Sequence, residues 1–299
     1  MFAQRARHHA LAIAFVCCAL TSCDRGQARE PQTANDLPRE STSDARATLQ
    51  YEVDGHSMPQ PYVNAMVGTH ATRFLIDTGS NTNVIARWFA DEIQLPLTRA
   101  PGNAAGQPPV MLIDHPLIDI EGFGAVDLDS AIVVETNAIF EELGIGGTLS
   151  PQLLVTNESA VRLDLQRDTL ERIPRTGALN MEGTDGELLT RTPVGACDEM
   201  QRGIVLRTLL VRGTVGGSDV QLALDSGALQ TVVRSQSAGT PHGADTVVSI
   251  GSVNRTLDVG AIEHEAAGRC TWDGLVGRDF LSNCVLVFDL DRVAGKCLI

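Results

Sequence analysis

FLIDTGSNTNVI (residues 74–85) returns later in the chain as LALDSGALQTVV (residues 222–233). Both stretches run two apolar residues, an Asp, a small hydroxyl residue and a Gly, then a polar turn and a β-branched pair. Asp77 and Asp225 lie 225 − 77 = 148 residues apart. An Asp-Thr/Ser-Gly triplet arises by chance in about one chain in seven of this length at average composition. One copy is therefore a turn after a strand. Two copies at matching points of a longer repeat are a signal.

The repeat extends on both sides. VNAMVGTHATRFLIDTGSNTNVIA and LLVRGTVGGSDVQLALDSGALQTVVR share the order strand, Gly-containing turn, strand, Asp motif, strand. GGTLSPQLL (146–154) leads to VRLDLQRDTLERI, and DGLVGRDFLSN (273–283) leads to CVLVFDLDRVAGKCLI. From Tyr51 onward, short runs rich in Val, Ile, Leu and Thr are punctuated by Gly, Asn, Asp and Pro, which reads as strands. The best helical stretch is RWFADEIQL (87–95). Two repeats fall below the number a solenoid needs. The expectation is an all-β chain of two homologous lobes, 49–178 and 179–299, joined through 174–203.

The residue types suit a site between the lobes. Leu75-Ile76 and Ala223-Leu224 carry a strand into the core. Gly79 and Gly227 permit a tight turn and let backbone N–H groups face a carboxylate. Thr78 and Ser226 offer hydroxyls that can cross-brace one loop to the other. Loops meeting at a pseudo-twofold axis put Asp77 beside Asp225. Like charges that close cannot both ionise, so the pair shares a proton, and one carboxylate can act as base while the other acts as acid.

These motifs resemble the aspartic peptidase superfamily, the pepsin-like and retropepsin-like proteins. The resemblance rests on DTGS, DSGA, the GLVG segment at 274–277 and VFDLDRVAGK (287–296), and spans 51–299. It implies a bilobal acid-protease fold and an aspartic endopeptidase. Asp77 and Asp225 would be the catalytic dyad, supported by Thr78, Gly79, Ser80, Ser226, Gly227 and Ala228. A polypeptide would be the substrate, with no cofactor and no metal. Both aspartates lie in one chain, so a monomer suffices. The family pattern implies that a hydroxyl following the motif bonds the neighbouring carboxylate; Ser80 has one and Ala228 does not, which points to a mildly acidic pH optimum.

The chain also departs from the family. TLSP (148–151) stands where the second half has GLVG, and Ser150 in the Gly position is expected to loosen packing behind Asp77. No Tyr lies between Asp77 and Ser150, so Phe123 of Gly122-Phe123-Gly124 becomes the candidate flap residue over the cleft. The intact Asp pair argues for the enzyme, and these departures keep open the alternative, a catalytically silent peptide-binding or regulatory relative.

The ends and the charge supply a setting. Arg5 and Arg7 precede an apolar run too short for an ordinary membrane span, which ends at Leu20-Thr21-Ser22-Cys23. This resembles a bacterial lipobox: residues 1–22 as signal peptide, Cys23 as lipidation site, and 23–48 as a flexible polar tether holding the protein to the periplasmic side of the envelope membrane. The net charge is −14, and −16 without residues 1–22 (21 − 37), which disfavours nucleic acid as a partner. Four cysteines remain in the last third, Cys197, Cys270, Cys284 and Cys297. An even number in an exported chain suggests two disulfides with three possible connectivities. Glu263-His264-Glu265-Ala266-Ala267-Gly268 begins like a zinc-binding HExxH but has Gly in place of the second His.

Overall fold

The structure is a computed structural model that describes residues 45–101, 109–181, 183–189, 194–201, 204–234, 242–263, 270–290 and 292–298. The signal segment, Cys23, most of the expected tether and the segment from His264 to Gly268 lie outside the described residues.

The chain is all-β. Its first half contains β1 (Arg46–Thr48), β2 (Gln50–Val53), β3 (His56–Val67), β4 (His70–Ile76), β5 (Val84–Ala86), α1 (Arg87–Glu92), β6 (Thr98–Arg99), β7 (Met111–Asp114), β8 (Leu117–Ile120), β9 (Gly124–Asp127), β10 (Ser130–Val134), α2 (Ala138–Glu142), β11 (Ile145–Leu149), β12 (Ser159–Asp164) and β13 (Thr169–Pro174). The second contains β14 (Glu187–Leu188), β15 (Val194–Gln201), β16 (Ile204–Val215), β17 (Ser218–Leu224), β18 (Val232–Arg234), β19 (Gly243–Ile250), β20 (Val253–Ile262), β21 (Gly274–Val276), α3 (Arg278–Leu281), β22 (Cys284–Asp289) and β23 (Arg292–Cys297). No helix among the described residues is long and apolar enough to cross a membrane.

The sequence repeat is a repeat of strand pairing. In the first half β3 pairs antiparallel with β4, β4 parallel with β11, β11 antiparallel with β5, β5 parallel with β10, and β10 antiparallel with β7. In the second half the same sequence of pairings runs β16, β17, β21, β18, β20, β19. The register matches as well. Tyr62 faces Leu75, and Leu210 faces Ala223, each residue displaced by 148. The hairpins β2–β3 and β15–β16 extend the likeness upstream.

Composition explains why the Asp motifs end central strands. Phe74 and Ile76 on β4, and Leu222 and Leu224 on β17, are fully buried. So are the intervening Leu75 and Ala223. A strand buried on both faces reads as a continuous apolar run, and each such side chain contributes roughly 1.5–3 kcal/mol. The first residue that cannot stay in the core is the Asp.

A second set of strands ties the halves together. The hairpins β12–β13 and β22–β23 pair through β12 and β22, with Leu163 opposite Leu286. β1 adds to β13, and β23 continues into β15. The tether expected to reach residue 48 therefore ends earlier: Arg46–Thr48 is a strand, and Ala47 is buried in the core. The stretch expected to be a plain join also carries structure, since β14 pairs with β23 and β15 opens the second repeat.

Both disulfides lie in the second half, Cys197–Cys270 and Cys284–Cys297. The latter links residues directly opposite on β22 and β23. Its 13-residue separation corresponds to about 3 kcal/mol of unfolded-state restriction. Replacing both Cys284 and Cys297 by Ala should lower stability by about that amount, read as a lower urea midpoint. An unchanged midpoint would show that the bridge does not restrict the unfolded chain.

Candidate active site

β4 and β17 each deliver an Asp to the start of a loop, and a parallel neighbour fixes its backbone. Asp77 N–H donates to Leu149 O of β11 at 3.1 Å, and Asp225 N–H donates to Val276 O of β21 at 3.0 Å. The loops then lock to each other. Thr78 N–H donates to Ser226 Oγ at 3.0 Å. Ser226 N–H donates to Thr78 Oγ1 at 2.8 Å, and Thr78 Oγ1 donates to Leu224 O at 3.0 Å. All three bonds are buried and all cross between the halves.

The brace brings the two carboxylates close enough to share one backbone donor. Gly227 N–H is shared between them, 3.2 Å from Asp77 Oδ1 and 3.0 Å from Asp225 Oδ1. Gly79 N–H donates to Asp77 Oδ1 at 2.8 Å, and Ala228 N–H to Asp225 Oδ1 at 2.9 Å. The glycines are required by close approach. A Cβ on Gly79 would stand 2.2 Å from the Asp225 carboxyl carbon, and one on Gly227 2.6 Å from that of Asp77.

Electrostatics follow from this crowding. Asp77 is 8% exposed. Burial raises its pKa above the ordinary carboxylate value, opposed by the N–H donors of Gly79, Ser80 and Gly227 and by a hydrogen bond from Asp225. Burial raises Asp225 further, well above the ordinary value, and the charge on Asp77 adds to the rise. Burial and mutual repulsion therefore both oppose ionising the two carboxylates together.

Two expectations change here. The Ser80 hydroxyl does not reach a carboxylate; it donates to Thr82 O at 2.7 Å. Ser80 supports Asp77 through its backbone N–H, as Ala228 supports Asp225, so the asymmetry between a hydroxyl and a methyl does not act on the dyad. Phe123 is not a flap residue. It is 0% exposed, packed in the core with the Arg172 guanidinium 4.7 Å from its ring centroid. The turn carrying it closes on β1, where a Cβ on Gly122 would lie 2.3 Å from Arg46 O. Residues 102–108, between β6 and β7, lie outside the described residues.

Ser150 does not loosen the first loop either. The backbone turns there at ψ 112°, against −174° at Gly277, and enters a 3-10 turn in place of α3. The buried hydroxyl lies 2.5 Å from Ser80 O and 3.1 Å from Thr82 O and donates to them. Gln152, also fully buried, donates from Nε2 to Ser80 O at 2.9 Å and Thr78 O at 3.2 Å. Behind the second loop, Asp279 receives Thr231 N–H and the Thr231 hydroxyl. Ser150 N–H donates to Asn83 Oδ1, and Gly277 N–H to Thr231 Oγ1, at 3.0 and 3.1 Å. Gln152, Asn83, Thr231 and Asp279 were not singled out in the sequence. The 148-residue offset that relates the aspartates also relates Asn83 to Thr231 and would have found that pair.

No protein-family model matches the chain, and no curated protein matches it. A physical consequence of the site can be measured without a substrate. Because the folded pKa of Asp225 is raised, the folded state binds more protons than the unfolded state above the ordinary carboxylate pKa. Stability is then lost as pH rises through that range. Asp225→Asn removes the ionisation and keeps an acceptor oxygen. It should stabilise the protein at pH 7 by roughly 0.5–2 kcal/mol, and the gain should close as pH falls toward 4. Thermal melts of both proteins across pH check this; a variant less stable than wild type at pH 7 contradicts the raised pKa.

Proposed function

We propose that the chain is an aspartic endopeptidase with the bilobal acid-protease fold, working as a monomer. Residues 1–22 would serve as a signal peptide and be removed, and a lipid on Cys23 would hold the protein at the periplasmic side of a bacterial envelope membrane. The observation that carries this reading is the pair of Asp-Thr/Ser-Gly loops braced into one site, with two carboxylates sharing Gly227 N–H. Neither the shared donor nor the opposed glycines serves a purely structural turn, because the same turn could be made without placing one carboxylate against another.

The chemistry follows from a dyad holding one proton. A water between the carboxylates gives a proton to the ionised one as its oxygen attacks the scissile carbonyl carbon. The protonated carboxyl gives its proton to the carbonyl oxygen, forming a tetrahedral diol. Proton transfer to the amide nitrogen then breaks the C–N bond, and the diol loses a proton as it collapses to the acid. The dyad returns to its single proton. The silent alternative rested on Ser150 and on the flap; the Ser150 hydroxyl is hydrogen-bonded to the first loop, while Phe123 is buried and supplies no flap.

The direct test is incubation of the processed protein with a mixed peptide library, sequenced for new termini. Wild type should cleave, while Asp77→Asn and Asp225→Asn should lose activity by at least about 10³-fold. Cleavage that survives both substitutions ends the peptidase reading.

The pH profile should be bell-shaped, with both limbs belonging to the pair. The pKa values of Asp77 and Asp225 are both raised by burial, so the acid limb should lie above the ordinary carboxylate value of 3.8. Ser80→Ala should leave both limbs in place and cost about 1 kcal/mol of stability, since its hydroxyl serves Thr82 O. A shift of the acid limb in Ser80→Ala would show that the hydroxyl acts on Asp77 after all.

A further inference from the structure

The two loops are braced alike but not covered alike. Gln60, half-buried on β3, donates from Nε2 to Gly227 O at 2.8 Å. Its neighbour Pro59 is pinned in turn. Arg278 donates to Pro59 O, lies 4.6 Å over the Tyr51 ring, and its backbone N–H donates to Ala228 O at 2.8 Å. The 148-residue offset makes Thr208 of β16 the counterpart of Gln60. Among the described residues no hydrogen bond joins Thr208 to Gly79, and none ends on Gly79 O.

This asymmetry matters if the site cleaves peptides, and the argument rests on that reading. Gly227 N–H touches both carboxylates, so Gly227 O is one peptide unit from the reacting centre. An extended substrate laid across the dyad carries an N–H about every 3.3 Å along the strand. The carbonyls of the two loop glycines beside the dyad, Gly79 O and Gly227 O, would be its backbone acceptors on the two sides. One of them already holds an amide donor.

We propose that Gln60 is a specificity-determining residue that caps Gly227 O. The cleft then reads a substrate backbone N–H on the Gly79 side only. On the Gly227 side it accepts a residue that has no N–H, a proline or an N-alkylated amino acid. The substrate class is a polypeptide with an imino residue tolerated at one position flanking the cleaved bond.

The test starts from a peptide that the full-length protein cleaves in an Asp77-dependent manner. Each of two residues on either side of the cleaved bond is N-methylated in turn, and kcat/KM is measured for wild type, Gln60→Ala and Gln60→Met. Wild type should lose about fivefold on one side and less than about twofold on the other. Both variants should become sensitive on the second side by about fivefold, because Gly227 O is uncovered. The methionine variant keeps the side-chain volume without a donor, so agreement between the two variants separates the hydrogen bond from packing. Equal sensitivity on both sides in wild type, from displacement of Gln60 or use of the second lone pair of Gly227 O, overturns the proposal. So does an unchanged scan in the variants. Either result with cleavage intact counts against Gln60 alone. Absence of any Asp77-dependent cleavage overturns the peptidase reading and this inference with it.

Discussion

The site depends on two hydroxyl residues that bond across the join. Thr78 and Ser226 exchange backbone N–H and side-chain oxygen, and Thr78 also donates to Leu224 O. Each bond adds only about 1 kcal/mol net, but an unmade buried partner costs about 1–3 kcal/mol. The loops therefore have one low-energy relative placement. From it follow the approach of each carboxylate to the opposite glycine, the shared Gly227 N–H, and the burial that raises both pKa values. A chain that lacked this brace would have two turns ending in exposed aspartates.

Much of this was legible in the sequence because it is written twice. The duplicated Asp motif fixed where β4 and β17 end, and the apolar residues before each Asp marked strands buried on both faces. Composition marked the second half as the one carrying disulfides, though which cysteines pair depended on β22 and β23 lying in register. What sequence could not show was where a side chain finds its partner. Ser80 looked like a carboxylate donor because of its position in the motif, yet Thr82 O, two residues away, takes its hydroxyl. Phe123 looked like a hairpin tip over a cleft. The hairpin exists, but it folds onto β1, and tertiary packing rather than turn chemistry decides which face it covers.

The layer behind the loops shows how a repeat can diverge without losing its geometry. Where the second half uses Thr231, Gly277 and Asp279, the first uses Asn83, Ser150 and Gln152. Gly277 needs to be Gly, since a Cβ there would lie 2.5 Å from the Gln230 carbonyl carbon. Ser150 is possible because the backbone leaves in another direction and its hydroxyl finds two carbonyls. The task is the same in both halves, satisfying the polar groups exposed by a sharp turn after a buried strand. The donors differ because Asp279 accepts from Thr231, whereas Gln152 donates to Thr78 O and Ser80 O.

The divergence stops short of the carboxylates, whose own donors come from the loop backbone. Asp77 is met by three backbone N–H donors, from Gly79, Ser80 and Gly227, all of which favour its ionised form. Asp225 is met by those of Gly227 and Ala228, and burial raises both pKa values, so the titration belongs to the coupled pair. In the proposed hydrolysis the pair supplies both the base toward water and the acid toward the carbonyl oxygen. The difference between the loops lies one peptide further out, where Gln60 holds Gly227 O and, among the described residues, no hydrogen bond ends on Gly79 O. A residue from the first half thus covers the second loop, so this asymmetry comes from a contact between the halves and not from the aspartates themselves.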